Sequence, residues 1–340
     1  MNAESKLCSI DHRLRKASEW GEGMTKHYKI GIIGVGSIGL RHLHNLVQIL
    51  KERQVSYAID LVRSGKGKKL EHEILQYIGH IYAKDDIVPD DYDILFITNP
   101  THMHYDTIRK YASKTKHMFI EKPVFDDARV DISSLGLNAK NVYYVACPLR
   151  YTEVIQTLRK ICRERQVYSV RAICSSYLPD WRPGKDYRDT YSAHREQGGG
   201  VSIDLIHEWD YLCYLFGPPR EVFCMRGHFS GLEIDSDDLS IEIARYQAMT
   251  VELHLDYFGR KTVRQVELFT DEDTIVGDLA NSEIRFLRSG EVISFREERN
   301  DLHKKEIEYF FDIIEGRVEN ENDILTALRT LRIAKEGKIG

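Results

Sequence analysis

Three places in the chain combine residue types and spacings that suit chemistry. The first is Gly34, Gly36 and Gly39 within Lys29-Ile-Gly-Ile-Ile-Gly-Val-Gly-Ser-Ile-Gly-Leu-Arg-His42. At this spacing the first glycine permits a tight turn, the second lets a pyrophosphate approach the main chain, and the third lets a helix pack on the preceding strand. The N–H groups of the first helical turn, at Ser37, Ile38 and Gly39, then face the phosphates with the positive end of the helix dipole behind them. The second place is Lys122, at the end of an apolar run between Glu121 and Pro123. Proline restricts its own backbone and that of the residue before it, so the amine is held in one direction, and the Lys-Pro bond is of the kind that can be cis. The third is Asp204 with His207, a spacing that puts both side chains on one face of a helix. Reducing a ketone by hydride transfer leaves an alkoxide that must be protonated. Histidine exchanges that proton near neutral pH, and a lysine cation stabilises the developing oxyanion or shares the transfer. His104 competes as the acid and is weighted instead as a residue shaping a nicotinamide pocket.

These stations need a scaffold, and the hydrophobic pattern supplies one. Ile30 to Ile33 reads as a buried strand, and Ile38, His42, Leu43, Leu46, Val47 and Leu50 then share one face of a helix. Further strands are expected at Tyr57–Val62, Asp93–Thr98, His117–Ile120 and Val142–Ala146. The third of these five strands ends in Asn99-Pro100-Thr101-His102-Met103-His104 and a helix to about Lys114, and the fourth runs into Glu121-Lys122-Pro123. Strands alternating with helices predict a doubly wound parallel sheet with function at the carboxyl ends of its strands. The expected dinucleotide contacts are therefore Gly34, Gly36, Ser37, Ile38, Gly39, Arg63, Ser64, Asn99, Pro100, His104, Glu121 and Lys122. Asp60 stands at the offset expected for a free ribose hydroxyl, but its apolar flanks place it inside the strand. Arg63 and Ser64 lie at the tip, with Lys66, Lys68 and Lys69 behind them, which favours NADP over NAD.

Beyond Cys147 the pattern changes. A helix at 150–164 leads to an alternating strand, Tyr168–Tyr177, then a polar aromatic stretch from Leu178 to Tyr187. Gly198 to Gly200 opens an amphipathic helix running to about Phe216, alternating segments fill 221–295, and helices at 301–315 and 322–336 close the chain. The fold class is α/β: an N-terminal Rossmann sheet plus a C-terminal α+β domain with an open, mainly antiparallel sheet. The expected division is an extension at 1–26, a dinucleotide domain at 27–147 and a substrate and oligomerisation domain at 148–340, whose closing helices can pack back on the first.

Composition sets bounds. At 340 residues the chain has room for two domains, and 42% hydrophobic with 30% charged residues describes an ordinary globular protein. A net charge of -5, with both signs intermixed, offers no footprint for nucleic acid, and no apolar run approaches the length that crosses a bilayer. The six cysteines form no C-x-x-C pair, so reduced cysteines in a cytoplasmic protein are expected, with no metal site. The first 26 residues lack the apolar core of a signal peptide; a short helix through Leu14 to Trp20 is expected there, and Met24 offers an alternative start.

Taken together, Gly34-Val-Gly-Ser-Ile-Gly39, Pro100-Thr-His-Met-His104, Glu121-Lys122-Pro123 and Gly198-Gly-Gly-Val-Ser-Ile-Asp204-Leu-Ile-His207 resemble the glucose–fructose oxidoreductase, inositol dehydrogenase and rhizopine catabolism family of NAD(P)-dependent sugar oxidoreductases. The resemblance implies a catalytic set of Lys122, Asp204 and His207, and an open second-domain sheet that pairs subunits into a homodimer or homotetramer. Many members place the aspartate and histidine four residues apart, against three here, which makes His207 the firmer assignment. The stretch Tyr177 to Tyr187, followed by Asp204 to Tyr211, is similar to a branch found in surface-polysaccharide and unusual-sugar pathways. There Trp181 and Tyr187 would cover a sugar ring, Arg182 and Lys185 would meet a phosphate or carboxylate, and Arg150 and Tyr151 would line the cleft. The expected activity is hydride transfer between nicotinamide and a secondary alcohol or ketone of a nucleotide-linked or phosphorylated sugar. The alternatives are a non-catalytic dinucleotide sensor and an enzyme recycling tightly held cofactor between two sugars.

Overall fold

In the computed structural model, which describes residues 26–65, 70–83 and 86–337, the first apolar run becomes β1 (His27–Ile33). The N-terminal extension, apart from Lys26, and the loop lysines Lys66, Lys68 and Lys69 lie outside the described residues. Strands β2 (Ser56–Arg63), β3 (Ile78–Ala83), β4 (Tyr92–Ile97), β5 (Thr115–Ile120) and β6 (Val142–Val145) join β1 in the order β3-β2-β1-β4-β5-β6. Every pairing is parallel, so the chain reverses its winding between β1 and β4, where a doubly wound sheet opens its binding crevice. The helices α1 (Ser37–Glu52), α2 (His72–Leu75) and α3 (His104–Tyr111) connect these strands.

The central strands read as unbroken apolar runs because both faces of the sheet are covered. Ile30, Ile32, Ile94, Leu95, Phe96, Phe119 and Ile120 are all 0% exposed. At roughly 1.5–3 kcal/mol for each such side chain, this burial easily accommodates the one acidic residue in β2. That residue, Asp60, is buried and accepts a hydrogen bond from the Tyr92 hydroxyl at 2.9 Å. Strand β3 is absent from the sequence reading for a physical reason: it is an edge strand whose residues are mostly exposed, so no apolar run marks it.

The second sheet is built on β7 (Val167–Tyr177), β8 (Glu221–Gly227), β9 (Leu239–Arg245), β10 (Thr250–Asp256), β11 (Phe258–Thr270), β12 (Thr274–Asp278), β13 (Glu283–Phe286) and β14 (Val292–Ser294). Its order is β14-β13-β12-β11-β7-β10-β9-β8, antiparallel throughout except where β10 runs parallel to β7. Helix α4 (Glu153–Glu164) covers one face so closely that a Cβ on Gly277 would stand 2.7 Å from Leu158. The opposite face is open, with Phe223 opposite Ile243 and Met225 opposite Ile241 in exposed cross-strand pairs.

The expected single helix from the glycine triplet to Phe216 is in fact two: α5 (Val201–Asp204) and α6 (His207–Phe216). Leu205 leaves helical geometry at φ -98 and ψ 28. Six consecutive residues, Val201 to Ile206, are all buried, and a regular helix cannot turn every side toward the core at once. The chain redirects itself at Leu205-Ile206 instead.

The closing helices α7 (Asp301–Ile314) and α8 (Ile324–Glu336) bind the two domains together. Phe310 of α7 reaches the first sheet, its ring 5.6 Å from Phe119 and 6.1 Å from Phe96. Ahead of α8, Asn322 lies along the edge of β6, accepting from the Val145 N–H at 2.9 Å and donating from its amide to the Val145 carbonyl at 2.8 Å, which blunts an otherwise open strand edge. Among the described residues no helix is long and apolar enough to cross a membrane.

Gly34 is the tightest point of the first turn. It has φ +91, and a Cβ there would stand 2.5 Å from the Asn99 main-chain nitrogen. Gly34→Ala is therefore expected to cost about 2–5 kcal/mol of stability, measured as a lower urea midpoint at unchanged slope; a variant as stable as the parent would contradict this packing.

Candidate active site

The dinucleotide end of the site is made of backbone. Gly36 is the N-cap of α1, no side chain caps the helix, and nothing lies within 4 Å of where a Gly36 Cβ would be. The first helical bond runs from Leu40 N to Gly36 O at 2.9 Å, which leaves the N–H groups of Ser37, Ile38 and Gly39 without an acceptor inside the helix. At the end of β4, the Asn99 amide nitrogen donates to Thr107 at 2.9 Å while its buried Oδ1 has no hydrogen-bond partner. Pro100 is exposed beside it. Arg63 is the last residue of β2, half-buried, with Ser64 exposed next to it. Uncapped N–H groups, open space over Gly36 and a free acceptor at the switch point fit a dinucleotide, with phosphates at α1 and ribose near Arg63. His104 is buried, with Nε2 2.9 Å from the Asn99 carbonyl and Nδ1 3.1 Å from that of Pro123. Burial pushes its pKa down against those bonds, so it ties two strand ends together and has no nitrogen free to act as an acid.

Lys122 stands at the carboxyl edge of the same sheet, with a cis bond to Pro123. Its Nζ reaches the second domain and donates to the Asp204 carbonyl at 3.4 Å. That carbonyl is available because of the helix break: the Glu208 N–H bonds to Leu205 O at 3.2 Å instead of the Asp204 oxygen. The Asp204 carboxylate is buried, its Oδ2 accepts from the Tyr257 hydroxyl at 2.7 Å, and its charge helps burial push the Tyr191 hydroxyl up.

Burial is the leading influence on the titration of both candidate proton carriers. It lowers the Lys122 pKa, and the nearby Asp204 and Glu121 charges recover only part of that while Arg264 adds to it. It drives His207 well below the ordinary histidine range, aided by the cations of Lys122 and Arg264. His207 is thus a neutral imidazole at neutral pH, within electrostatic reach of an amine that gives up its proton more readily than an exposed one. This arrangement can take a proton from a hydroxyl and return it.

Of the residues expected to meet substrate, Trp181 and Arg182 come close to this centre. The Trp181 ring packs edge-on against Tyr257 at 5.2 Å with its Nε1 bonded to Ser176 at 2.9 Å, and the Arg182 guanidinium lies over the Tyr191 ring at 5.1 Å. Tyr187 lies further along, its hydroxyl accepting from Glu233 N at 3.1 Å. Arg150 faces inward, contrary to expectation, while Tyr151 is half-buried. Arg150 is 3% exposed and forms a two-pronged pair with Asp210 at 2.7 and 2.9 Å, with further bonds to Glu321 O and Asn322. The Tyr151 hydroxyl bonds to Tyr144 at 2.9 Å. Glu121 also differs, since its carboxylate is taken up by neighbouring protein groups.

Tyr191, Tyr257, Glu208 and Arg264 escaped the sequence reading. Arg264 shares an inward face with Val266 and Leu268, both 0% exposed, and Nε lies 2.7 Å from Glu208 Oε1 on α6. A charged residue in an otherwise buried alternating series is a legible signal that a partner exists. The two tyrosines carry no such mark.

Removing one member of a buried pair leaves the other unpaired. Arg150→Ala is expected to destabilise the fold by about 3–5 kcal/mol in urea unfolding, with Asp210→Ala less than additive on top of it. A variant of native stability that only raised the KM for a sugar would return Arg150 to the cleft.

Comparison with known proteins agrees with this architecture. Residues 28–133 match the GFO_IDH_MocA oxidoreductase family, NAD-binding Rossmann fold, and residues 155–276 match the GFO/IDH/MocA C-terminal domain. The uncharacterized oxidoreductase YrbE of Bacillus subtilis is 28% identical over 201 residues, covering 57% of this chain and 55% of that protein. The chain thus spans about half the length of the curated relatives it matches. Levoglucosan dehydrogenase in complex with NADH has a TM-score of 0.75 at 16% identity, covering 91% of this chain and 95% of that one. The WlbA dehydrogenase from Bordetella pertussis, in complex with NADH and UDP-GlcNAcA, has a TM-score of 0.70 at 17% identity, covering 92% and 98%. At such identities the structural likeness is one of fold. With both of its domains matched, the chain belongs to the GFO/IDH/MocA oxidoreductase family.

Proposed function

We propose that the chain is an NAD(P)-dependent oxidoreductase acting between a secondary alcohol and a ketone of a sugar. The observation that carries this reading is the reach of the Lys122 amine across the domain boundary to the Asp204 carbonyl, 3.4 Å away, with His207 within electrostatic reach of that amine. When bound, nicotinamide supplies hydride exchange; the protein's task is to orient the sugar and handle the proton. Gly36, Ser37, Ile38 and Gly39 would hold the pyrophosphate, with Asn99 and Pro100 at the strand end that follows. In the direction of alcohol oxidation, neutral His207 accepts the hydroxyl proton and the Lys122 amine holds the oxygen. Ketone reduction runs the same path backwards. Asp204, fixed by Tyr257, balances the charge of Lys122.

Trp181 and Arg182 suit a sugar bearing phosphate, carboxylate or a nucleotide, a class that includes the UDP-GlcNAcA named with WlbA. NADP is favoured over NAD because Asp60 is committed inside β2 to Tyr92, whereas Arg63 and Ser64 stand at the strand tip. A homodimer or homotetramer through the open second sheet belongs to the same reading, since Phe223, Met225, Ile241 and Ile243 form a contiguous exposed apolar face.

The test is reduction of NADP and NAD by UDP-GlcNAc, UDP-GlcNAcA, glucose 6-phosphate and myo-inositol, followed by nicotinamide absorbance. At least one sugar should turn over, with tighter binding of NADPH than of NADH. Lys122→Ala should lose about a hundredfold or more in kcat while binding NADPH within about twofold of the parent. Near-normal turnover by that variant contradicts the assignment, and silence with every sugar favours a dinucleotide sensor. In sedimentation, Phe223→Asp should shift an oligomer toward monomer; an unchanged oligomer moves the interface elsewhere.

A further inference from the structure

The carboxylate beside Lys122 joins two elements that sequence reasoning treated separately. Glu121 is 9% exposed, with Oε1 2.5 Å from His42 Nε2 and Oε2 accepting the Lys122 main-chain N–H at 3.1 Å. His42 belongs to the second turn of α1, the helix that begins at the glycine turn. It is 0% exposed, with its ring edge-on to Phe119 at 4.9 Å. Because a carboxylate only accepts, the proton facing Glu121 sits on Nε2. A continuous hydrogen-bonded link therefore runs from the proposed phosphate-holding helix, through two buried side chains, to the backbone of the lysine.

Two apolar side chains would fill this space at lower desolvation cost. They could neither hold the Lys122 amide nor place a negative charge beside its amine. We propose that His42 and Glu121 are positioning residues for Lys122, coupling the helix that cradles the dinucleotide to the direction and charge of the amine. This rests on the reading of Lys122 as the amine at the reacting centre.

The surrounding charges are consistent with the link. Burial alone would raise the Glu121 carboxyl, but the bond from His42 and the charge of Lys122 outweigh it and hold it below the usual carboxylate range. Glu306 of α7, a buried acid close enough to feel Glu121, is pushed well above the usual carboxylate range by its own burial and by the Glu121 charge. Lys122 itself faces Glu121 from its own strand end and Asp204, His207, Glu208 and Arg264 from the second domain. Of these, Glu121 is an anion that also holds the Lys122 backbone.

The coupling can be read without turnover. Acetylation of Lys122 by acetic anhydride, followed across pH by mass spectrometry on the protein without added dinucleotide, reports the titration of the amine. A neighbouring anion favours the ammonium, so Glu121→Gln should move the midpoint of Lys122 labelling down by about one pH unit. His42→Ala, which strands the carboxylate, should move it the same way. His42→Gln, whose terminal amide N–H can replace Nε2–H, should stay within about 0.3 unit of the parent. In turnover with whichever probe sugar is active, His42→Ala and Glu121→Gln should lose about tenfold or more in kcat, with KM within about threefold and His42→Gln largely restored. An unmoved midpoint in Glu121→Gln, or His42→Gln behaving like His42→Ala, overturns the coupling. Should His42→Ala not fold, the other two variants decide. A moved midpoint together with an active Lys122→Ala defeats the catalytic reading and leaves the coupling standing; the converse pattern defeats the coupling alone.

Discussion

One amine bridges the two domains at the strand ends. The bond from Lys122 Nζ to the Asp204 carbonyl spans 82 residues of sequence and joins a strand end of the parallel sheet to a helix end of the second domain. Taking an ammonium out of water is expensive, and a carbonyl dipole alone does not offset it. The compensation comes from anions on both sides of the boundary, Glu121 from the first domain and Asp204 from the second. Their placement follows from the sheet. Parallel strands end along one edge, so the glycine turn after β1, Asn99 after β4 and Glu121-Lys122 after β5 share that edge without further specification.

Lys122, His207 and Arg264 set three basic groups against the acids Asp204, Glu121 and Glu208 in a confined volume. If Coulomb attraction dominated, the lysine would be held more firmly charged than in water. It is not: burial is the largest influence, and both Lys122 and His207 titrate lower than usual. The second domain thereby acts on the chemistry of the first through exclusion of water as much as through contact. Tyr257, fully buried and bonded to Asp204, and Trp181 packed against it are part of that exclusion.

What was legible in the sequence is what burial writes continuously. Ile30 to Ile33 and Asp93 to Thr98 read as strands because parallel strands covered on both faces leave unbroken apolar runs, and the glycine spacing marked the turn between strand and helix. Lys122 was legible as a charge at the end of such a run. Strand β3 was not, being mostly exposed, and Arg150, expected to line the cleft, is instead committed to Asp210, a partner sixty residues away that no local pattern marks. Tyr191 and Tyr257 reach Asp204 only because the second sheet folds as it does; no local spacing could have announced them.

The same limit explains the Asp204–His207 spacing, which as a helical pattern suggested two side chains on one face. The chain leaves helical geometry between them, so the distance in sequence carries no angular meaning there. In an unbroken helix the Asp204 carbonyl would accept from the Glu208 N–H and be unavailable to any other donor. With that N–H turned to Leu205, the oxygen is left pointing at a partner from outside the helix, and the partner is Lys122. His207 then starts a new helix, so its side chain is set by α6 and that of Asp204 by α5. Between these two residues the break, and not the helical repeat, sets where each group stands.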